Sequence, residues 1–486
     1  MKRIQIIDTT IRDGQQCLWA TRMTTPMMLP IAEQLDRAGY DGIQLLGPIG
    51  FDVCVRYLKE NPWERLRLMR ERLPRTPLAS GIRSNNGITF GLVPEDVVHL
   101  WVELLVRNGI RWFGAFDALA DFDNIVESMK VAKRVGAAGL GISLVYTVSP
   151  VHTDEYYAGK VQEAVRRMDL DRITIKDSGG LLTVDRVRTL VPAMRKAAGE
   201  AIVIELHSHC MTGLAPLVYL EGVKAGADAM HTATAPLANG PSQPANQTIV
   251  RNLRMMGYEV TIDDAMVAEI SRHFAAVAQQ EGKPVGVPCE YDAWHYEHQL
   301  PGGMLTNLQF QLGEAGLLDR FDDVLAECAQ IRAELGWPIM VTPFSQLVAV
   351  QAVYNIMTGE RYRTVPNEVK KYALGYYGRL VAPVAPDILD RIVENGSKTI
   401  PLRPEPPAPA VNELRRKYPN ASDEERLLRY MFAGNQVDDM LAAGPINTRY
   451  DILTTPLARL VNEVMKLPRL RTVSVRAEGA RLDLRQ

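Results

Sequence analysis

Eight short apolar runs alternate with helix-length amphipathic segments across the first half of the chain, and no other feature restricts its fold as strongly. The runs are Ile4–Asp8, Gly42–Leu46, Leu78–Ile82, Ile110–Phe116, Gly139–Tyr146, Arg172–Ile175, Ile202–Leu206 and Asp228–Thr232. Helical periodicity fills the intervals at 26–38, 62–72, 95–108, 122–135, 153–168, 183–198 and 212–225, with an eighth pattern at 244–256. Parallel strands must be joined by crossovers, and eight strand–helix units are the number that closes a (β/α)8 barrel. A doubly wound open sheet is the competitor, but no glycine-rich phosphate loop follows the first run. The expected fold class is therefore α/β, a (β/α)8 TIM barrel followed by a mostly helical C-terminal extension.

The rest of the chain reads differently. Residues 1–260 form the barrel, expected to carry the catalytic groups, and residues 261–400 a helical extension that completes the active site, with patterns at 262–280, 316–334 and 344–357. The proline-rich run Leu402–Ala410 reads as a connector. It introduces a terminal segment, 401–486, expected to serve docking or dimer contact. Helical patterns recur there at 411–417, 423–432 and 455–466, and the alternating tail Thr472–Arg485 predicts a hairpin. Fifty-five Lys+Arg against 57 Asp+Glu leave a formal charge of −2, which argues against a nucleic-acid partner. No run approaches transmembrane length, and the N-terminus lacks the apolar stretch of a signal peptide. Cys17, Cys54, Cys210, Cys289 and Cys328 form no Cys-x-x-Cys pair, so a disulfide framework is not expected. These features predict a cytoplasmic protein with no transmembrane segment.

In a parallel barrel the reacting groups sit where strands give way to loops, at the carboxyl face. Strand 1 ends in Asp8-Thr9-Thr10-Ile11-Arg12-Asp13-Gly14-Gln15-Gln16, strand 3 at Arg83, strand 6 at Lys176-Asp177, and strand 7 in Glu205-Leu206-His207-Ser208-His209. Alternate strand residues share a face, so His207 and His209 can address one ion, and barrel closure brings Asp13 alongside. Two imidazoles and a carboxylate suit Zn, Mn, Co or Fe better than Ca or Mg, and three ligands leave room for a substrate oxygen. Lys176 could pair with Asp177. Near a cation its ammonium form is disfavoured instead, and a neutral amine can act as a base, form a Schiff base, or add CO2 to become a carbamate. Arg12 and Arg83 offer forked donors to a substrate carboxylate, and Gln16 an amide. The set describes a metal polarising a keto oxygen, with cations orienting a small acid.

These motifs resemble the metal-dependent lyase and carboxyltransferase barrels. Arg12-Asp13-Gly14-x-Gln16 is similar to the opening of isopropylmalate and homocitrate synthases and hydroxymethylglutaryl-CoA lyase. It is equally similar to that of the carboxyltransferase barrels of pyruvate carboxylase, the oxaloacetate decarboxylase alpha subunit and transcarboxylase. Later segments resemble only the second branch: Leu18-Trp19-Ala20-Thr21-Arg22-Met23, Asn61-Pro62-Trp63-Glu64-Arg65-Leu66, Ile175-Lys176-Asp177-Ser178-Gly179-Gly180, Pro301-Gly302-Gly303-x-x-Thr306-Asn307 and Val341-Thr342-Pro343-Phe344-Ser345-Gln346. The His-x-His-Asn-Asp of the synthases is absent, because Cys210-Met211-Thr212-Gly213 follows His209.

The resemblance implies a biotin-dependent carboxyltransferase that moves a carboxyl group between carboxybiotin and the metal-stabilised enolate of a small keto acid, pyruvate or oxaloacetate. The alternative is an acyl-CoA lyase or Claisen-type synthase. The carboxyltransferase reading implies a divalent transition metal, Zn, Mn or Co, held by Asp13, His207, His209 and carbamylated Lys176. It places Arg12, Gln16 and Arg83 on the keto acid, and Thr342 as the proton relay to biotin. Three departures fall at the barrel mouth: Gly14-Gln15 where that family has Ala-His, Leu46-Gly47-Pro48 for its Trp-Gly-Gly, and Gly114 for the arginine of its Phe-Arg-x-Phe-Asp. No Met-Lys-Met hairpin is recognisable, and Val464-Met465-Lys466-Leu467 lies in a helical pattern. Biotin is therefore expected on a separate carrier protein, with a separate biotin carboxylase subunit as a further partner. A homodimer is expected from the resemblance.

Overall fold

A computed structural model of the chain describes residues 1–87, 91–314, 316–452, 461, 472–477 and 480–485. Eight parallel strands close into a barrel in sequence order: β1 (Gln5–Asp8), β2 (Gly42–Leu46), β3 (Leu78–Arg83), β4 (Trp112–Phe116), β5 (Gly139–Val145), β6 (Arg172–Asp177), β7 (Val203–Ser208) and β8 (Ala229–Thr232). The seam is β1 against β8, in a register running from Gln5↔Ala229 to Asp8↔Thr232. All eight expected runs are strands, but β6 and β7 continue past their apolar stretches to Asp177 and Ser208. The added residues are polar groups that the barrel mouth buries, so hydropathy alone ends these strands too early.

Local chemistry sets the helix boundaries. The helix Pro62–Arg72 begins where the Asn61 side chain accepts from Trp63 N at 3.0 Å and a proline occupies the first turn. The helix expected at 26–38 is broken into Thr25–Met28, a 3-10 turn Leu29–Ile31 and Ala32–Arg37, since Pro30 has no amide hydrogen to continue the ladder. Helices at Gly302–Glu314, Asn367–Ala373, Pro386–Asn395 and Gly434–Ala442 have no counterpart in the sequence reading. The tail forms the expected antiparallel hairpin, β9 (Thr472–Ala477) with β10 (Ala480–Arg485). The helix expected over 455–466 and the Met465-Lys466 string lie, Val461 apart, outside the described residues.

Two apolar cores organise the packing. The first joins the barrel strands and their helices to Val411, Leu414, Leu427, Leu428, Met431 and Val437, so the segment after the proline run lies on the barrel flank. Asp96 receives Ala410 N and Val411 N, and Glu424 receives Arg67 and Asn108. The second core belongs to the extension, from Leu300 to Ile392, and takes in Ala118, Leu119 and Val145 at the ends of β4 and β5. Arg332 donates to Thr147 Oγ1 and Val148 O, so the extension covers that side of the carboxyl face. Among the described residues, no helix is long and apolar enough to cross a membrane.

One buried ion pair ties the segment after the first site turn to the barrel wall. Arg65, almost fully buried, donates to Glu60 Oε2 at 2.7 Å, Thr25 Oγ1 at 2.8 Å and Met23 O at 3.1 Å. Glu60 in turn accepts from Thr25 N and Oγ1. Removing one partner of such a pair leaves a charge with neither water nor counter-ion. Glu60→Ala is expected to cost about 3–5 kcal/mol of unfolding free energy. Urea denaturation with an unchanged slope would register it.

Candidate active site

The turn after β1 begins at a buried carboxylate. Asp8 accepts from Thr10 Oγ1 at 2.6 Å and Thr10 N at 3.1 Å, while burial pushes its acid up to about 7 against those bonds. The Thr9 carbonyl then accepts from the amides of Arg12, Asp13 and Gly14 at 3.1, 2.8 and 2.9 Å. This wide π-turn, Thr10–Gly14, projects Arg12 and Asp13 at the mouth. Gly14 seats it against the loop after β8, where a Cβ would stand 2.8 Å from the Leu237 carbonyl oxygen.

Asp13 meets both histidines there. Its Oδ2 lies 3.0 Å from His207 Nε2 and 3.2 Å from His209 Nε2, and the two Nε2 atoms are 3.2 Å apart. Bonds of about 2.0–2.1 Å from a tetrahedral zinc-type ion span ligand–ligand edges of roughly 3.3 Å. The triangle therefore has the edge lengths of a coordination face. His209 Nδ1 lies 2.6 Å from the Pro241 carbonyl, which can only accept, so a proton sits on Nδ1 and Nε2 faces inward. Burial opposes ionisation of Asp13, yet Arg12 and the two imidazoles hold it well below the usual carboxylate range. Burial also disfavours the His209 imidazolium, but neighbouring Cys17 and Asp13 outweigh it and push the group up to about 10. A cation in the triangle would take the place of that Nε2 proton.

The remaining expected residues are placed less uniformly. Arg12 Nη1 donates to Asp13 Oδ1 at 2.6 Å. Lys176 is the register partner of His207 across β6 and β7, and its amine lies 5.3 Å from the Phe116 ring centroid. It is not spent on Asp177, whose carboxylate faces the other way and receives Leu181 N, Leu182 N and Ser208 Oγ at 2.7, 2.9 and 2.6 Å. Burial, with Arg12 adding to it, pushes the Lys176 amine down to about 8. Arg83 is buried at the end of β3, where burial lowers it to about 10 and Asp52 opposes the shift. Gln16 is half-buried in the first turn, whereas neighbouring Gln15 is structural and accepts from Met23 N at 3.2 Å. Thr342 stands on the extension just before the helix Phe344–Thr358, and its hydroxyl accepts from Gln346 Nε2 at 3.0 Å.

Three residues at the centre escaped the sequence reading. Gln243 Nε2 donates to Asp13 Oδ2 at 2.7 Å and lies 3.0 Å from His209 Nε2, with Thr9 Oγ1 2.8 Å from its Oε1. Its only sequence signal is a polar pair between Pro241 and Pro244. Cys17 Sγ lies 3.8 Å from His209 Nδ1, and Asp13, Cys17 and His209 group their donor atoms within 4.8 Å. Burial, then Asp13, raises its thiol, and its sulfur stands on the Nδ1 side of His209, whereas His207 stands with Asp13 on the Nε2 side. Gly47 gives Arg12 its place, since a Cβ there would lie 2.9 Å from Nη2. Below the mouth, a cavity of about 110 Å³ enters the barrel, bordered by Arg12, Ser80, Gly114, Ser143, Thr174 and Lys176.

Comparison with known proteins meets this geometry. The family described as "Conserved carboxylase domain" matches residues 296–449. The chain is 42% identical over 403 residues to a pyruvate carboxylase subunit of Methanocaldococcus jannaschii, covering 82% of this chain and 70% of that one. The chain belongs to the biotin-dependent carboxyltransferase family. A second member, the methylmalonyl-CoA carboxyltransferase 5S subunit of Propionibacterium freudenreichii, is 32% identical over 89% of this chain and 86% of its own. The carboxyltransferase domain of Rhizobium etli pyruvate carboxylase superposes with a TM-score of 0.84 at 28% identity, covering 99% of this chain and 84% of that one. Each falls on the carboxyltransferase side of the two branches that share the Arg-Asp-Gly-x-Gln opening.

Gly47 offers a test of how the mouth of this carboxyltransferase is set. Gly47→Ala must displace the Arg12 guanidinium, to which the three atoms nearest the added Cβ all belong. Turnover is expected to fall about 10–100-fold, the usual effect of a small misplacement. Metal content and melting temperature should match the wild type.

Proposed function

We propose that the chain transfers a carboxyl group between carboxybiotin and the enolate of a small keto acid, with pyruvate and oxaloacetate as the pair. The observation that carries this reading is the Asp13–His207–His209 triangle sharing one mouth with the Arg12 guanidinium and the Lys176 amine. The donor set fits Zn, Mn or Co. Such a metal, when bound, supplies a Lewis acid that polarises the keto oxygen.

The chain's own residues supply the rest. Arg12 and Arg83 offer guanidinium forks to the acid's carboxylate, and Gln16 an amide hydrogen bond. Lys176, pushed down to about 8, keeps a fraction of its amine uncharged near neutral pH and available to CO2. When its nitrogen bonds to carbon and loses a proton, the resulting carbamate gives the triangle a further anionic ligand. The Thr342 hydroxyl takes the proton leaving the keto acid's methyl carbon and passes its own to the biotin ring nitrogen. The carboxyl group moves the other way, from that nitrogen to the carbon. Biotin is supplied by a separate carrier protein, with a biotin carboxylase subunit as its other station, and the chain acts as a homodimer in the cytoplasm. Both relatives are named as subunits, which supports a multi-subunit assembly.

Two measurements test the reading. Purified protein is expected to hold about one Zn, Mn or Co per chain and to decarboxylate oxaloacetate when free biotin is added, with chelation or Lys176→Ala abolishing turnover. Protein without a transition metal that leaves oxaloacetate untouched would refute it. Thr342→Ala is expected to lose about 10²–10⁴-fold in that assay, the range of a lost proton relay. Thr342→Ser should keep most of the activity.

A further inference from the structure

His207 has one ring nitrogen in the triangle and the other in a buried chain of polar groups under the mouth. Its Nδ1 lies 3.0 Å from His231 Nδ1 on β8. His231 Nε2 lies 3.2 Å from Glu205 Oε2 on β7. Glu205 also accepts from Thr174 Oγ1 at 2.6 Å and pairs with Arg172, both on β6, and Arg172, Thr174, Glu205 and His231 all border the cavity inside the barrel. We propose that Glu205 and His231 are positioning residues that fix which His207 nitrogen carries the proton, and so present Nε2 to the cation. This rests on the metal-site reading above and names the residues that organise it.

With a cation on His207 Nε2, the direction of the chain follows from donors and acceptors. A neutral imidazole carries one proton. Two bare Nδ1 atoms 3.0 Å apart would set lone pair against lone pair, so one of them must donate. The Glu205 carboxylate can only accept, which assigns the His231 proton to Nε2 and leaves its Nδ1 bare. The shared proton therefore belongs to His207 Nδ1, and the His207 Nε2 lone pair is kept for a cation shared with Asp13 and His209, in place of the N–H that the Asp13 carboxylate 3.0 Å away would otherwise accept. The reverse order would turn a bare His231 nitrogen on a carboxylate and place an N–H of His207 where a cation must sit. Gln44 Nε2, 3.3 Å from the same His231 Nδ1, is a second donor suited to a bare nitrogen. His209 reaches the same state through the Pro241 carbonyl, a backbone group that side-chain substitution leaves in place.

Outer groups of this kind typically contribute about 10–100-fold to metal affinity. The test uses the full chain, stripped by chelation and titrated with Co(II), following the d–d absorption that reports coordination geometry. His231→Leu, which keeps the Arg172–Glu205 pair, is expected to bind Co(II) about 10–100-fold more weakly with an altered band. His231→Gln, whose side-chain oxygen can accept from His207 Nδ1, should restore wild-type affinity. The double variant Arg172→Leu/Glu205→Leu removes the buried charges together and should weaken binding with His231 still present. Wild-type affinity in His231→Leu, or no recovery in His231→Gln, would overturn the proposal while leaving the metal site standing. A wild-type chain that takes up no Co(II) would instead sink the metal-site reading.

Discussion

Pairing of β1 with β8 is the constraint on which the site depends. His207 is on β7 and His209 directly follows it, whereas Asp13 hangs from β1, so the triangle exists only once the barrel is closed. The seam is reinforced where the site turn leaves it. Thr9 N donates to Thr232 O at 2.9 Å, and Thr234 N to Thr10 Oγ1 at 2.7 Å. Gln243, on the loop after β8, touches Asp13 itself. A one-residue slip in this register would reverse the facing of every β1 side chain and carry Asp13 away from β7.

Concentrating charge in a dry barrel mouth is costly unless each charge has a partner. The arrangement meets that condition in layers. Asp13 is shared between Arg12 and the histidines, Glu205 is held between Arg172, Thr174 and His231, and Asp177 is turned away onto loop amides. Lys176 has no carboxylate within ion-pair distance among the described residues, and burial, with Arg12 adding to it, pushes its amine down to about 8. A lysine kept as an ion-pair partner would be inert. One faced instead by Arg12 and an aromatic ring is poised for chemistry.

The fold was legible because strand alternation repeats, and repetition survives errors at individual boundaries. The His207–His209 spacing and the Arg12-Asp13 turn were legible because each is local. Gln243 and His231 were not, since their contribution comes from the β8 side of the seam and no periodicity marks a lone glutamine or histidine. Nor could the sequence separate an Lys176–Asp177 ion pair from opposed side chains. That choice depends on where β6 ends, and β6 runs on to Asp177 through residues that hydropathy excludes. The broken helix at 26–38 shows the converse case, where Pro30 was visible and a smooth apolar pattern outweighed it.

Gly114 shows how a departure from the family's pattern is to be read. It lies between Trp112 and Phe116 on the inward face of β4, and the nearest atoms to a Cβ there are 3.8 Å away or more. An arginine at this position would enter the cavity beneath the mouth. That space already has a guanidinium, because Arg172 reaches in from β6, lies 3.7 Å from the Trp112 ring centroid and pairs with Glu205. The Glu205 carboxylate that pairs with Arg172 also meets His231, which leads on to His207. Gly114 thus leaves room beside the Arg172–Glu205 pair that a larger side chain would fill.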